Sequence, residues 1–439
     1  MTPIVAIVGR PNVGKSTLFN RLVGKNLAIV HDLPGVTRDR HYADAHLAGR
    51  NVTLVDTGGF DPRSGDPMQL GIARHVLSAI DEADAVVCVL DGSMPPTEPD
   101  REAVQLLRQS GKPVVYVANK TDTREHELGT GPLYELGVPS LVAVSAVHGR
   151  GTAELAQAIR KVLPADEQPD EAGDDAAPRI SLVGRPNAGK SSLFNRLVGS
   201  ERSLVDREPG TTRDPVDERI EFEGRAFMMV DTAGIRRRSR VERGVELVSV
   251  LRAIRAIERA QVCILMCDAT EGVAEQDARL LALCIERRRG VVIGLNKMDA
   301  LDARARRAAI EQATETLGFA RFAEIIPISG KSGENVGRLM ASAAKIAEEM
   351  RRRVSTGELN RFFEQVIAKQ PPPTSGGRAP RIYYITQAET SPPVFVAVSS
   401  YPENIKPSYQ RFVVNQIRRS FGFEGVPITV HYKKKRQRE

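Results

Sequence analysis

Gly9-Arg10-Pro11-Asn12-Val13-Gly14-Lys15-Ser16 is the stretch that decides the fold. An apolar run, Ile4-Val5-Ala6-Ile7-Val8, precedes it, and a helical pattern, Thr17-Leu18-Phe19-Asn20-Arg21-Leu22, follows it. Strand, glycine-rich turn and helix in that order make a phosphate-binding loop, or P-loop. The glycines let the main chain wrap closely round phosphate oxygens. The helix N-terminus aims free N–H groups and the positive end of its dipole at them. Lys15 can reach β- and γ-phosphates, and Ser16 can offer its hydroxyl to Mg²⁺. The arrangement occurs twice. Gly184-Arg185-Pro186-Asn187-Ala188-Gly189-Lys190-Ser191 follows Ile180-Ser181-Leu182-Val183 and precedes Ser192-Leu193-Phe194-Asn195-Arg196-Leu197.

Outward from the first loop, Leu33-Pro34-Gly35-Val36-Thr37-Arg38-Asp39 reads as a polar, mobile loop. The strand Val52-Thr53-Leu54-Val55 ends in Asp56-Thr57-Gly58-Gly59, followed by Phe60. An aspartate at a strand end beside a P-loop can hold Mg²⁺ through water, and Gly59 can offer its N–H to a γ-phosphate. Pro113-Val114-Val115-Tyr116-Val117-Ala118 ends in Asn119-Lys120-Thr121-Asp122. That tetrapeptide selects the base. The Asp122 carboxylate can accept from both N1–H and the 2-amino group of guanine, a donor pair that adenine lacks. Asn119 and Lys120 brace the loop and pack on the base. A last apolar run ends in Ser145-Ala146, whose backbone can contact the guanine oxygen. Each element alone is commonplace. All of them in order, at the carboxyl ends of apolar strands where open α/β sheets bind ligands, are not.

The second half repeats this layout. Gly9, Thr37 and Asp56 correspond to Gly184, Thr212 and Asp231 at an offset of 175, Asn119 to Asn296 at 177, and Ser145 to Ser329 at 184. A nearly constant register over a whole domain implies internal duplication. The second set comprises Pro209-Gly210-Thr211-Thr212-Arg213-Asp214, then Asp231-Thr232-Ala233-Gly234 with Ile235 after it, Asn296-Lys297-Met298-Asp299, and Ser329-Gly330. Gly330 stands where the first copy has Ala146. A loop acting through its backbone keeps guanine binding despite that change. Alternating strands and amphipathic helices give the fold class: α/β, with two tandem P-loop domains of mostly parallel sheet and helices on both faces.

These residues resemble the G motifs of translation-factor-related GTPases. The resemblance implies GTP hydrolysis to GDP, with Lys15, Thr37, Lys190 and Thr212 as catalytic groups. Mg²⁺ would be held by Ser16, Thr37 and Asp56 in one copy and by Ser191, Thr212 and Asp231 in the other. Phe60 and Ile235 occupy the place where Ras-like switches carry a glutamine that orients the attacking water. In related GTPases with an apolar residue there, the P-loop asparagine helps bind a potassium ion. Asn12 and Asn187 are therefore expected K⁺ ligands. In the second copy Arg236, Arg237, Arg238 and Arg240 make a loop expected to grip phosphate, RNA or a neighbouring domain in one nucleotide state.

The rest of the chain sets the context. No run of about 18 apolar residues occurs, so no transmembrane helix is expected. The N-terminus enters a strand at once, leaving no room for a signal peptide, and a cytoplasmic protein is expected. Cys88, Cys263, Cys267 and Cys284 form no Cys-x-x-Cys pattern and read as buried, reduced thiols. Arg287-Arg288-Arg289 reads as a charge match to a helix C-terminus. Residues 164–177 are acidic and lack large apolar side chains, the composition of a flexible linker. They separate a first G domain, 1–163, from a second, 178–350.

Residues 351–439 carry 16 Lys/Arg against 6 Asp/Glu, whereas the preceding chain carries 46 against 49. Such asymmetry points to a polyanion partner, most often nucleic acid. Apolar spacing gives the order α-β-β-α-β and a basic tail. This small α+β domain resembles a KH domain, but a Gly-x-x-Gly loop acting as the usual nucleotide clamp is not expected in it. Gly376-Gly377 beside Arg378 is not that motif, and a protein-contact module is the alternative. Tyr383 and Tyr384 are expected to be part core and part surface rather than a stacking platform. The whole chain resembles the EngA (Der) family of bacterial tandem-domain GTPases. That resemblance implies a monomer associating with the large ribosomal subunit and its RNA during assembly. Competing readings are a ribosome-binding scaffold with structural nucleotide, and a GTPase of RNA modification. No cofactor or catalytic-cysteine stretch supports the last.

Overall fold

Every residue of strand β1 (Ile4–Val8) is buried, as an apolar run covered on both faces of a parallel sheet should be. The computed structural model describes residues 2–24, 42–58, 76–77, 79–122, 130–165, 177–199, 217–232, 246–374 and 379–435. In it β1 passes through the glycine-rich turn into helix α1 (Lys15–Gly24). The elements β2 (Tyr42–Leu47), β3 (Arg50–Asp56), β4 (Ala85–Asp91), α2 (Glu98–Ser110), β5 (Val114–Asn119), β6 (Val142–Val144) and α3 (Thr152–Val162) follow. The sheet order is β2-β3-β1-β4-β5-β6, and only the edge strand β2 is antiparallel. Because β1 lies between β3 and β4, the winding reverses at its carboxyl end. That crevice is where open α/β sheets bind ligands.

The second copy contains β7 (Arg179–Val183), α4 (Lys190–Gly199), β8 (Glu218–Phe222), β9 (Arg225–Met229), α5 (Glu246–Arg259), β10 (Val262–Asp268), α6 (Glu275–Glu286), β11 (Gly290–Asn296), α7 (Ala303–Thr316), β12 (Ile325–Pro327) and α8 (Val336–Arg351). Its order, β8-β9-β7-β10-β11-β12, repeats the first sheet strand for strand. The C-terminal part follows the expected α-β-β-α-β order: α9 (Thr356–Lys369), β13 (Ile382–Glu389), β14 (Val394–Ser399), α10 (Pro407–Phe421) and β15 (Thr429–Lys434). Ser355 starts α9 with a capping box: its hydroxyl accepts from Glu358 N, and Glu358 Oε2 accepts from Ser355 N, both at 3.3 Å. Strand β14 pairs antiparallel with β13 and parallel with β15.

The chain divides into two compact units, one built on the first sheet and the other on the second and third sheets. Within the latter, one apolar cluster runs without a break from the second sheet into the C-terminal domain. It includes Val292, Ile346, Met350, Val354, Phe395 and Phe423. The turn after α10 closes the join. Gly425 N donates to Phe322 O at 2.8 Å, and Val291 N donates to Gly425 O at 2.7 Å. Arg418 lies over the Phe322 ring at 4.5 Å. Gly425 has φ +69°, and a Cβ there would come within 2.4 Å of Ile346 Cδ1.

All four cysteines are buried and free, as expected. The arginines after α6 are not merely a match to its dipole. Arg287 Nε lies 3.3 Å from Glu258 Oε1, and Arg289 Nη2 donates to Glu258 O at 2.6 Å. The buried glutamate on α5 needs a positive partner, and that need overrides the helix-end reading. The expected linker falls almost wholly outside the described residues.

Replacing Gly425 with alanine combines a disfavoured left-handed backbone with a clash, and should destabilise the second unit by about 2 kcal/mol or more. Hydrogen exchange checks this: protection should fall together in β10–β11 and β13–β15. Loss confined to β13–β15 would mean that the two parts do not share one core.

Candidate nucleotide-binding sites

The two P-loops have the same backbone. Asn12 and Gly14 have φ +67° and +91°; Asn187 and Gly189 have +63° and +95°. Alternating left-handed residues curl successive N–H groups into an anion-binding nest. Lys15 Nζ donates to Arg10 O at 2.7 Å, and Lys190 Nζ donates to Gly184 O at 2.6 Å and Arg185 O at 2.8 Å. Burial pushes the Lys15 ammonium down to about 8, opposed by Asp56, and likewise pushes Lys190 down to about 8, opposed by Asp277. Ser16 Oγ donates to Asp56 Oδ2 at 2.5 Å, and Gly58 N donates to Asp56 Oδ1 at 3.1 Å. A hydroxyl and a carboxylate adjoining the phosphate nest are the hard oxygen donors that Mg²⁺ takes. In the second copy Asp231 has a left-handed backbone, φ +57°. Its N–H donates to Asp217 Oδ1 at 3.3 Å, and Asp217 pairs with Arg179 at 3.0 Å and Arg259 at 2.9 Å.

The base-selecting loops are tied directly to the P-loops. Asn119 Nδ2 donates to Val13 O at 2.8 Å, while Asn119 Oδ1 accepts from Ala146 N at 3.0 Å. Asn296 repeats both bonds, to Ala188 O at 2.9 Å and from Gly330 N at 2.8 Å. The change from Ala146 to Gly330 leaves this backbone bond intact, as a loop acting through its main chain requires. Ser145 Oγ donates to Asp122 Oδ1 at 2.5 Å, and Ser329 Oγ to Asp299 Oδ1 at 2.6 Å. The Ser329 bond also helps hold the Asp299 carboxyl below its usual range. In the first copy the loops surround a cleft of about 610 Å³ lined by Pro11, Asn12, Lys15, Ser16, Lys120 and Asp122, among others. That volume lies in the usual small-molecule range of about 300–1,000 Å³.

Not every expected residue faces a cleft. Val13, Thr57, Thr121, Ala188, Thr232 and Met298 are buried. Thr57 Oγ1 donates to Ile7 O at 2.9 Å and Thr121 N to Val144 O at 3.2 Å, so these residues shape the loops from beneath. Thr37, Gly59, Phe60, Thr212, Ala233, Gly234 and Ile235 lie outside the described residues, as does the arginine run 236–240.

Four carboxylates support the sites and were missed in the sequence. Lys120 Nζ donates to Asp91 Oδ2 at 2.7 Å, and Lys297 pairs with Asp268. Burial raises the Asp91 carboxyl, but hydrogen bonds from Lys120 and Ser93 outweigh it and leave the group below its usual range. Arg10 reaches Asp100 at 3.3 Å, and Arg185 reaches Asp277 at 2.8 Å. Asp100 and Asp277 also accept from the main chain at the start of α2 and α6, from Thr97 N at 2.9 Å and Ala274 N at 3.0 Å. The P-loop arginines are thus anchored to helix N-termini. The repeat itself held the signal, since Asp91 and Asp100 recur as Asp268 and Asp277 at the same 177 offset as Asn119.

Comparison with known proteins agrees with this geometry. The profile of a family described as "50S ribosome-binding GTPase" matches residues 4–120 and again 179–297. A second, "KH-domain-like of EngA bacterial GTPase enzymes, C-terminal", matches residues 353–433. The GTPase Der of Moorella thermoacetica is 43% identical over 438 residues, covering 99% of both chains. That of Syntrophotalea carbinolica is 42% identical over 438 residues, covering 99% of this chain and 100% of its own. That of Caldanaerobacter subterraneus is 43% identical over 435 residues, covering 98% of both. The chain belongs to the GTPase Der family. It is a GTP-binding and GTP-hydrolysing protein with two GTPase domains and a KH-like C-terminal domain. Among the described residues no helix is long and apolar enough to cross a membrane.

The lowered lysines give a pH test. A bound phosphate raises the pKa of Lys15 and Lys190, so binding takes up protons where the free chain has begun to lose them. Affinity for GDP without Mg²⁺ should therefore fall as pH rises through about 8, by at most about tenfold per pH unit at each site. Calorimetry in buffers of different ionisation heat reads the proton uptake, and none near that pH would contradict the assignment.

Proposed function

We propose that the chain is a cytoplasmic, monomeric GTP switch acting in assembly of the large ribosomal subunit, with that subunit and its RNA as partner. The carrying observation is that both copies keep a complete phosphate and guanine loop set, within a chain whose two halves each match the ribosome-binding GTPase family. The basic charge of residues 351–439 suits an RNA partner. We assign the G domains to 1–163 and 178–350, the linker to 164–177 and the KH-like domain to 351–439.

In the proposed mechanism Lys15 and Lys190 donate to β/γ-phosphate oxygens and stabilise charge that grows there during transfer to water. Asp122 and Asp299 accept from the guanine edge, with Ser145 and Ser329 fixing their carboxylates. Ser16, Thr37 and Asp56, and Ser191, Thr212 and Asp231, are the assigned Mg²⁺ ligands. A magnesium ion held by these residues would supply charge neutralisation to the phosphate oxygens. Asn12 and Asn187, exposed at the lip of each P-loop, are the assigned K⁺ ligands. Thr37 and Thr212 would engage the γ-phosphate and lose it on hydrolysis.

Steady-state hydrolysis in KCl against NaCl at equal ionic strength, with and without large ribosomal subunits, tests this reading. Stimulation by both K⁺ and subunits is expected, and Asn12→Ala and Asn187→Ala should each lose part of the K⁺ effect. A slow rate indifferent to both additions would favour a scaffold with structural nucleotide.

A further inference from the structure

We propose that the outer face of the C-terminal sheet, centred on Tyr383 and Tyr384, binds unpaired RNA bases by stacking. The proposal rests on the ribosomal reading only for the identity of the RNA. The sequence led us to expect these tyrosines to be divided between core and surface, since neighbours on a strand face opposite sides. The structure corrects this. Ile382 pairs with Ser399 and Tyr384 with Val398, so β13 advances two residues while β14 advances one. This is a β-bulge, a device that re-aims a side chain. Ile382 and Ile385 remain buried, and both tyrosines between them are exposed, at 42% and 47%.

Cations surround the pair. Arg381 Cζ lies 5.7 Å and Lys435 Nζ 5.0 Å from the Tyr383 ring centroid. Across the sheet, Tyr384 neighbours Val398, which neighbours exposed Lys433. The next row brings exposed His431 beside Val396. The three strands contain a single carboxylate, Glu389, at the far end of β13. Exposed rings amid lysine and arginine, with acids kept away, are what a single strand needs: π-faces for its bases and cations for its phosphates. A paired helix hides its base faces and could use only the cations. The one Gly-x-x-Gly spacing of the domain, Gly422-Phe423-Glu424-Gly425, is turned inward, with Phe423 buried and Gly425 hydrogen-bonded to Phe322 and Val291, and this route does not need it.

The test is fluorescence anisotropy of the full chain, with GDP present, against a labelled oligouridylate of about ten nucleotides and a blunt RNA duplex of equal length. The wild-type chain should prefer the single strand. Tyr383→Ala with Tyr384→Ala should weaken single-strand binding about tenfold or more and leave duplex binding nearly unchanged. Phenylalanine at both positions should retain the preference, and because both rings are exposed the fold should survive either change. Lys433→Ala with Lys435→Ala should weaken both ligands and flatten the salt dependence. No single-strand preference in the wild type, or wild-type binding by the double alanine variant, overturns the proposal. Sedimentation with large ribosomal subunits separates it from the reading beneath. A chain that binds subunits without single-strand preference loses this site and keeps that reading. One that binds single strands through the tyrosines but no subunits keeps the site and loses the ribosome as its source of RNA.

Discussion

One side-chain amide in each half holds the nucleotide site together. Asn119 donates to the P-loop carbonyl of Val13 and accepts from Ala146 N, joining three loops that leave the sheet from separate strands. Asn296 does the same in the second copy. Both partners are buried backbone groups, and leaving such groups unpaired costs about 1–3 kcal/mol each. The arrangement also explains a glycine. A Cβ on Gly14 would fall 2.4 Å from Asn119 Nδ2, and one on Gly189 would fall 2.0 Å from Asn296 Nδ2. The phosphate loop is glycine-rich partly because the base loop reaches into it.

Behind the amides stands a layer of buried charge. Lys120 and Arg10 share Asp91, and Arg10 also holds Asp100. In the second copy Arg185 takes Asp277, which is fully buried, and the more exposed Glu271. Burial raises the Asp277 carboxyl, while the main-chain N–H of Ala274 and the Arg185 guanidinium oppose that. Removing one member of such a pair costs about 3–5 kcal/mol, because the other is left charged and dry. The P-loop therefore has its curvature fixed from both ends, by an asparagine on one side and an arginine-carboxylate pair on the other.

Much of this was legible in the sequence, for physical reasons that also mark its limits. The P-loops, Asn119 and Asn296, and Asp122 and Asp299 declare themselves because each act, wrapping phosphate or reading a base edge, demands a fixed local spacing. The mostly parallel sheets followed from apolar strands that alternate with helices, but their strand order did not. Asp100 and Asp277 gave no such signal: a carboxylate in the first turn of a helix ordinarily caps it, and both do. Their second task, holding an arginine some 90 residues away, exists only in three dimensions. The bulge at Tyr383 was hidden for a related reason, since alternation assumes that two paired strands advance in step. The C-terminal composition pointed to a basic domain but not to the core it shares with the second GTPase domain, because apolar residues do not name their partners.

That shared core makes the second half a single body carrying both a nucleotide site and a basic sheet, whereas the first sheet has its own core. The asparagine amide of each half, which need touch no phosphate, sets the nucleotide site. Calorimetric titration of GDP into Asn119→Ala and Asn296→Ala chains tests it most directly. Each variant should lose roughly 30-fold or more in affinity at its own site, as two unpaired backbone groups imply, and keep normal binding at the other. Wild-type affinity at both sites in either variant would contradict the account.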